Sequence, residues 1–291
     1  THRGTLFPYT TLFRSYPAGE TNINFSEKVL KSIEKCEAEN KAVKVVWNYK
    51  DDSEFIPLAF IASKLNDEYS GCDMDLYVPY LPHARMDRIE NDSQFLSGAY
   101  FLNLLYSLSF TSINVRNLHS DKILEESQVP NVYNEETIGE LTKSFIRNVL
   151  KDDWRYVIVF PDKGAKERFS SQLDPISKYQ IICNKERDFA TGKIKGLTFE
   201  TSEDFVSSTE NYNLIIVDDI CSYGGTFDLA ITEISKKYKF KAAYLVVSHL
   251  EEVYTKGKLV NNPLLKGIYH ENTMDWSIDK PNFIEVNNER N

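Results

Sequence analysis

Late in the chain, four apolar residues, Leu214-Ile215-Ile216-Val217, run directly into two adjacent carboxylates, Asp218 and Asp219. Ile220, Cys221, Ser222 and Tyr223 follow, then Gly224-Gly225-Thr226 and a helical pattern carrying Leu229, Ile231 and Ile234. A buried strand holds such a turn rigidly, and paired carboxylates at its tip can accept hydrogen bonds from vicinal sugar hydroxyls or reach a metal through water. The glycines allow backbone conformations that turn several N–H groups towards one anion, and the helix N-terminus adds favourable partial charge. Thr226 supplies one more hydroxyl donor. Asp218, Asp219, Ser222, Tyr223, Gly224, Gly225 and Thr226 thus describe a socket for a sugar phosphate. The plainer alternative is a polar strand-to-helix turn with a capped helix.

Further groups able to do chemistry stand after other apolar runs. Arg85 and Arg88 flank Asp87 in Val78-Pro79-Tyr80-Leu81-Pro82-His83-Ala84-Arg85-Met86-Asp87-Arg88, a spacing in which two guanidinium groups clamp a polyphosphate while the acid orients one of them. A surface ion-pair cluster is the alternative reading. His119 lies in Asn117-Leu118-His119-Ser120, and Asp162 in Val159-Phe160-Pro161-Asp162-Lys163-Gly164-Ala165. Lys185 and Arg187 are two residues apart in Asn184-Lys185-Glu186-Arg187-Asp188, ahead of Thr191-Gly192-Lys193, which reads equally as a charged hairpin. Glu20 ends Tyr16-Pro17-Ala18-Gly19-Glu20.

Short apolar runs alternating with helical patterns must position these groups, which is the signature of a parallel α/β sheet covered on both faces. Strands are expected at Ala42–Trp47, Met74–Val78, Ile113–Asn117, Tyr156–Phe160, Tyr179–Cys183, Leu214–Val217 and Ala243–Val247. Helices are expected at Leu58–Leu65 and Phe95–Leu108, and where Ile138, Leu141, Phe145 and Val149 recur at helical spacing. Two α/β domains are expected, 16–130 and 131–291, divided where Gln128-Val129-Pro130-Asn131 breaks the pattern. Residues 1–15 contain no acid and follow neither period, reading as a foreign or processed leader or as an N-terminal strand. A net charge of -9 with dispersed Lys and Arg argues against nucleic-acid and anionic-membrane surfaces. Four cysteines without CxxC spacing point to a reduced, cytoplasmic protein.

The acid-pair segment resembles the phosphoribosyl-pyrophosphate loop of the type I phosphoribosyltransferase fold. Taken with the other motifs in order, the chain from about Tyr16 to Asn272-Thr273 resembles the ribose-phosphate pyrophosphokinases. That resemblance implies two tandem phosphoribosyltransferase-like domains, each a mainly parallel sheet flanked by helices. It implies ATP binding by Glu20, Arg85, Asp87, Arg88 and His119, magnesium at His119 and Asp162, and catalysis by Lys185 and Arg187. It also implies a homodimer or higher homo-oligomer, with Glu20 approaching ATP across a dimer contact. Ser248-His249 resembles the family's Thr-His, although a structural hydrogen-bonding role fits His249 as well.

Departures from the family pattern are Ala18 for Asp, Met86 for Gln, and Ser222-Tyr223 where Asp-Thr is usual. An aromatic ring beside the phosphate socket suits stacking on an additional group, so the acceptor is expected to be ribose 5-phosphate or a 5-substituted ribose such as ADP-ribose. A phosphoribosyltransferase would share the acid-pair loop without needing Arg85 to Arg88 or the Lys-x-Arg pair. A non-catalytic regulatory homologue is the third reading.

Overall fold

The computed structural model describes residues 4–6, 11–15, 20–87, 89, 91–187, 194–202, 210–271 and 282–285. It divides into two compact units, Thr1–Glu135 and Glu136–Asn291. In the first, β1 (Gly4–Leu6), β4 (Val43–Val46), β5 (Met74–Tyr77), β6 (Ser112–Arg116) and β7 (Val132–Glu135) form a five-stranded sheet in that order. All its pairings are parallel. A separate antiparallel ribbon joins β2 (Thr11–Ser15) to β3 (Thr21–Phe25). Helices α1 (Glu27–Ala38), α2 (Phe55–Glu68), α3 (Ser97–Tyr106) and α4 (Lys122–Ser127) complete the unit.

The helices form where an apolar face recurs at helical spacing. In α1 Val29, Ile33 and Cys36 are buried, and Ser26 caps the first turn by accepting from Val29 N at 3.4 Å. The second core layer comes from Leu76, Ile113 and Val115, each worth about 1.5–3 kcal/mol of burial.

Gly4–Leu6 pairs with Val43–Val45 and Thr11–Ser15 with Thr21–Phe25, in keeping with the strand reading of the N-terminal segment. The division falls after Glu135 rather than at Pro130, because Val132–Glu135 adds to the edge of the first sheet. Gln128 and Asn131, both at positive φ, turn the chain from α4 into that edge strand.

The second unit holds a seven-stranded sheet in the order β10 (Ile194–Thr201), β9 (Gln180–Arg187), β8 (Tyr156–Phe160), β11 (Asn213–Cys221), β12 (Ala242–Leu250), β13 (Leu265–His270) and β14 (Asn282–Glu285). Its centre is parallel, and the outer pairs β9–β10 and β13–β14 are antiparallel. Helices α5 (Ile138–Asn148), α6 (Lys163–Leu173) and α7 (Gly225–Lys237) lie against it. After β8 the chain moves outward to β9 and β10, then returns to the other side of β8 as β11. The order therefore reverses between β8 and β11, and in open α/β sheets the crevice at such a reversal collects ligands at the carboxyl ends of the strands.

Candidate active site

Asp162 follows β8 at that reversal and caps α6, its Oδ1 accepting from Ala165 N at 2.9 Å. The cap needs an extended backbone (φ -161, ψ 175) at the point where the strand ends. Its second oxygen, Oδ2, accepts from Lys185 Nζ at 2.6 Å. Burial works against ionisation of Asp162, but the Lys185 ammonium, the Ala165 amide and Arg168 together hold its carboxyl below the usual range.

The acid pair lies within the strand, not in a loop after Val217. β11 continues to Cys221 because Asp218, Ile220 and Cys221 keep their ladder partners Val247, His249 and Leu250 on β12. Rigid backbone thus carries the two carboxylates. Arg168, on α6, reaches both through one nitrogen, Nη2 standing 3.1 Å from Asp218 Oδ1 and 3.0 Å from Asp219 Oδ1. Burial and the neighbouring Asp219 push the Asp218 carboxyl well up, and Arg168 pulls against them. Arg168 stood in none of the expected site residues. Lys166-Glu167-Arg168 reads along the chain as an ordinary charged helix surface, and only the fold brings residue 168 beside 218 and 219.

The turn expected to receive an anion follows. Gly224 takes a left-handed conformation (φ 73) as the residue before α7, with no side-chain cap over the helix. The first helical hydrogen bond runs from Asp228 N to Gly224 O at 3.0 Å, so the N–H groups of Gly225, Thr226 and Phe227 have no helical partner. A Cβ on Gly225 would meet nothing within 4 Å, leaving space over those groups. The turn is braced from behind. A Cβ on Gly224 would lie 2.6 Å from Leu259 Cδ2, and one on Gly257 would lie 1.8 Å from Tyr223 O. With its backbone fixed this way, Tyr223 leaves its side chain in solvent, 57% exposed.

Lys185 sits inside the β9–β10 ladder opposite Leu197. Arg187 ends that ladder opposite Ile194, with its side chain outside the described residues, as are Arg88, 16–19, 191–193 and 272–273. The residues expected to bind ATP belong to the first unit. Glu20 is exposed just before β3, Arg85 is exposed and Asp87 half-buried in the turn after β5, and His119 is half-buried after β6. Leu118 N donates to Asn134 Oδ1 at 3.0 Å, fixing the backbone beside His119. His249 is buried within β12, paired with Ile220.

Among the described residues no group of three or more His, Cys, Asp or Glu gathers to hold a metal by protein ligands alone. A lone hard carboxylate such as Asp162 nevertheless suits magnesium, which keeps waters and is commonly shared with substrate phosphates. None of the four cysteines forms a disulfide, and no described helix is long and apolar enough to cross a membrane.

No protein-family model matches the chain. It is 25% identical over 238 residues to a ribose-phosphate pyrophosphokinase of Pyrococcus furiosus, covering 81% of this chain and 76% of that one. To the enzyme of the same name from Sulfurisphaera tokodaii it is 24% identical over 276 residues, covering 93% and 87%. Its fold matches phosphoribosylpyrophosphate synthetase from Mycobacterium smegmatis with a TM-score of 0.68 at 17% identity, over 92% of this chain and 84% of that one.

Proposed function

From the chain's place as a divergent member of the ribose-phosphate pyrophosphokinase family, we propose that it transfers pyrophosphate from ATP to the anomeric hydroxyl of a ribose phosphate, releasing AMP. The observation that carries this reading is the meeting of Asp162, Lys185, Asp218 and Asp219 at the reversal of the second sheet, beside the open helix N-terminus at Gly225.

In this reaction Asp218 and Asp219 accept hydrogen bonds from the ribose 2- and 3-hydroxyls, and the N–H groups of Gly225, Thr226 and Phe227 receive the 5-phosphate, flanked by Ser222. Glu20, Arg85, Asp87, Arg88 and His119 serve the nucleotide. The anomeric oxygen forms a bond to the β-phosphorus, the bond from that phosphorus to the α-bridging oxygen breaks, and AMP leaves with the bridging oxygen as the hydroxyl proton is lost. Transfer of this kind is mostly positioning and charge stabilisation, so Lys185 and Arg187 act by closing positive charge around the transferred group. Magnesium, held by Asp162 with the phosphates, would offset phosphate charge when bound. The ion pair between Lys185 and Asp162 keeps both groups compensated until phosphate and cation supply new partners.

The acceptor is ribose 5-phosphate or a 5-substituted ribose such as ADP-ribose. An exposed Tyr223 ring on the turn that receives the 5-phosphate favours the substituted acceptor, because it offers a stacking face where a small phosphate needs none. Incubation with Mg-ATP and each acceptor, followed by measurement of AMP and the pyrophosphorylated sugar, tests the reading. Tyr223→Thr should lower the kcat/KM ratio of ADP-ribose to ribose 5-phosphate, and an unchanged ratio removes Tyr223 from acceptor selection. Failure of both acceptors to release AMP would overturn the transferase reading.

A further inference from the structure

We propose that Arg168 is a positioning residue for the acceptor, its guanidinium setting the Asp218 and Asp219 carboxylates in the arrangement that receives the two ribose hydroxyls. The inference rests on the acceptor reading of the acid pair given above.

One nitrogen, Nη2, donates to both carboxylates, and each contact uses the oxygen Oδ1. The two oxygens are thereby drawn to a common point. Asp218 Oδ1 also accepts from Asp219 N at 3.0 Å, so this oxygen is fixed from two sides. Adjacent strand residues would ordinarily project their side chains to opposite faces, and two neighbouring carboxylates would repel each other. A half-buried cation between them opposes both tendencies. The Asp219 side chain is 4% exposed and that of Arg168 24%, so water screens the arrangement weakly.

Arg168 also differs from a purely structural ion-pair partner. Its Nε is buried and unpartnered, a cost that folds tend to retain where a group has a function. Its placement is set by the same helix that Asp162 caps. Arg168 stands six positions after Asp162, about 9 Å along α6 at 1.5 Å per residue, so one rigid element spaces Asp162 from the acid pair. Gly164 lies between them, where a Cβ would stand 3.3 Å from Asp162 Oδ1 and 3.4 Å from Arg168 Nη1. The absent side chain at 164 leaves the guanidinium its path to the strand.

The test compares Arg168→Gln, Arg168→Lys, Asp219→Asn and Arg168→Gln/Asp219→Asn by AMP release, varying acceptor and ATP separately, with melting curves to establish folding. Arg168→Gln should raise the acceptor KM by ~30-fold or more, with the ATP KM within about twofold of wild type. Arg168→Lys should recover part of the loss, since an ammonium restores the positive charge but sits on a shorter, more flexible stem without the fixed planar geometry that holds Nη2 at both oxygens. The double variant should lose no more than the worse single variant, because Arg168 acts through the acids. Equal rises in both KM values, fully additive losses, or a lysine variant no better than the glutamine would overturn the inference. If Arg168→Gln does not fold, the acceptor-against-ATP comparison in Arg168→Lys decides in its place. If the wild-type protein releases no AMP, calorimetric titration with ribose 5-phosphate separates the two questions. Binding to wild type that is lost in the variants supports the role of Arg168 while the transfer reading fails; binding equal in both, or absent from wild type, overturns the positioning role.

Discussion

Two neighbouring glycines should respond in opposite ways to the same added methyl group. Gly225 opens α7 without a positive φ, and a Cβ there meets nothing within 4 Å. Gly225→Ala should therefore leave stability unchanged or raise it by roughly 0.4–1 kcal/mol, through a less flexible unfolded chain. The methyl nevertheless enters the space assigned to the acceptor phosphate. Loss of one charge-assisted N–H bond costs roughly 1.5–3 kcal/mol, on the order of 10- to 150-fold in acceptor KM. Gly224→Ala faces a different obstacle. Its left-handed backbone costs about 1–2 kcal/mol for an L side chain, and contact at 2.6 Å from Leu259 Cδ2 adds overpacking of about 1–3 kcal/mol. The sum is a destabilisation of roughly 2–5 kcal/mol. Urea denaturation and acceptor kinetics on both variants provide the assay. A Gly225→Ala protein with wild-type acceptor KM would refute the cradle, and a Gly224→Ala protein as stable as wild type would refute the bracing by Leu259.

Lys185→Ala should cut turnover far more than it weakens ATP binding, and retained turnover would remove Lys185 from the chemistry. The same variant probes the ion pair with Asp162. Because the folded Asp162 carboxyl is held below its ordinary value, the pair's contribution is present above the unfolded pKa and is lost as pH falls through the folded one. The stability gap between wild type and Lys185→Ala, read from urea midpoints, should be full near neutrality and close below about pH 4; a gap persisting at strongly acid pH contradicts this. Burial pushes the Cys183 thiol up to about 12, and Cys36 and Cys221 are also buried, whereas Cys72 is only partly covered. Iodoacetamide applied to the native protein should label Cys72 first, as read by peptide mass mapping, and early labelling of Cys183 would contradict the packing of β9.

Strand positions were legible where apolar runs are continuous, because parallel strands buried on both faces leave little room for polar residues. Tyr156–Phe160 matches the observed strand at both ends. Boundaries failed where polar residues continue a ladder. Asp218 and Asp219 read as the start of a loop, yet β12 pairs with β11 beyond them. Edge strands were missed for a related reason. Val132–Glu135 has too short a pattern to stand alone and is defined by its neighbour. Within the site, Asp162, Lys185, Asp218 and Asp219 could be named from strand-end motifs, since such motifs report the local chain. Arg168 could not, because its role depends on a contact across fifty residues of sequence separation. Gly257 was invisible for the same reason, as its missing side chain matters only against the carbonyl of Tyr223.

Asp162 divides its two oxygens between two employments, one closing the first turn of α6 and the other facing Lys185. Selection at this position is consequently applied twice. Asparagine or serine would still cap the helix and so be admissible to the fold while forfeiting the charge needed opposite a cation. Glutamate would keep the charge but place it one methylene further out, at the expense of the cap. Of the common residues, aspartate alone meets both demands. An inactive descendant of this chain would be expected to drift at residue 162 towards other capping residues, recording the loss of chemistry while its helix stays intact.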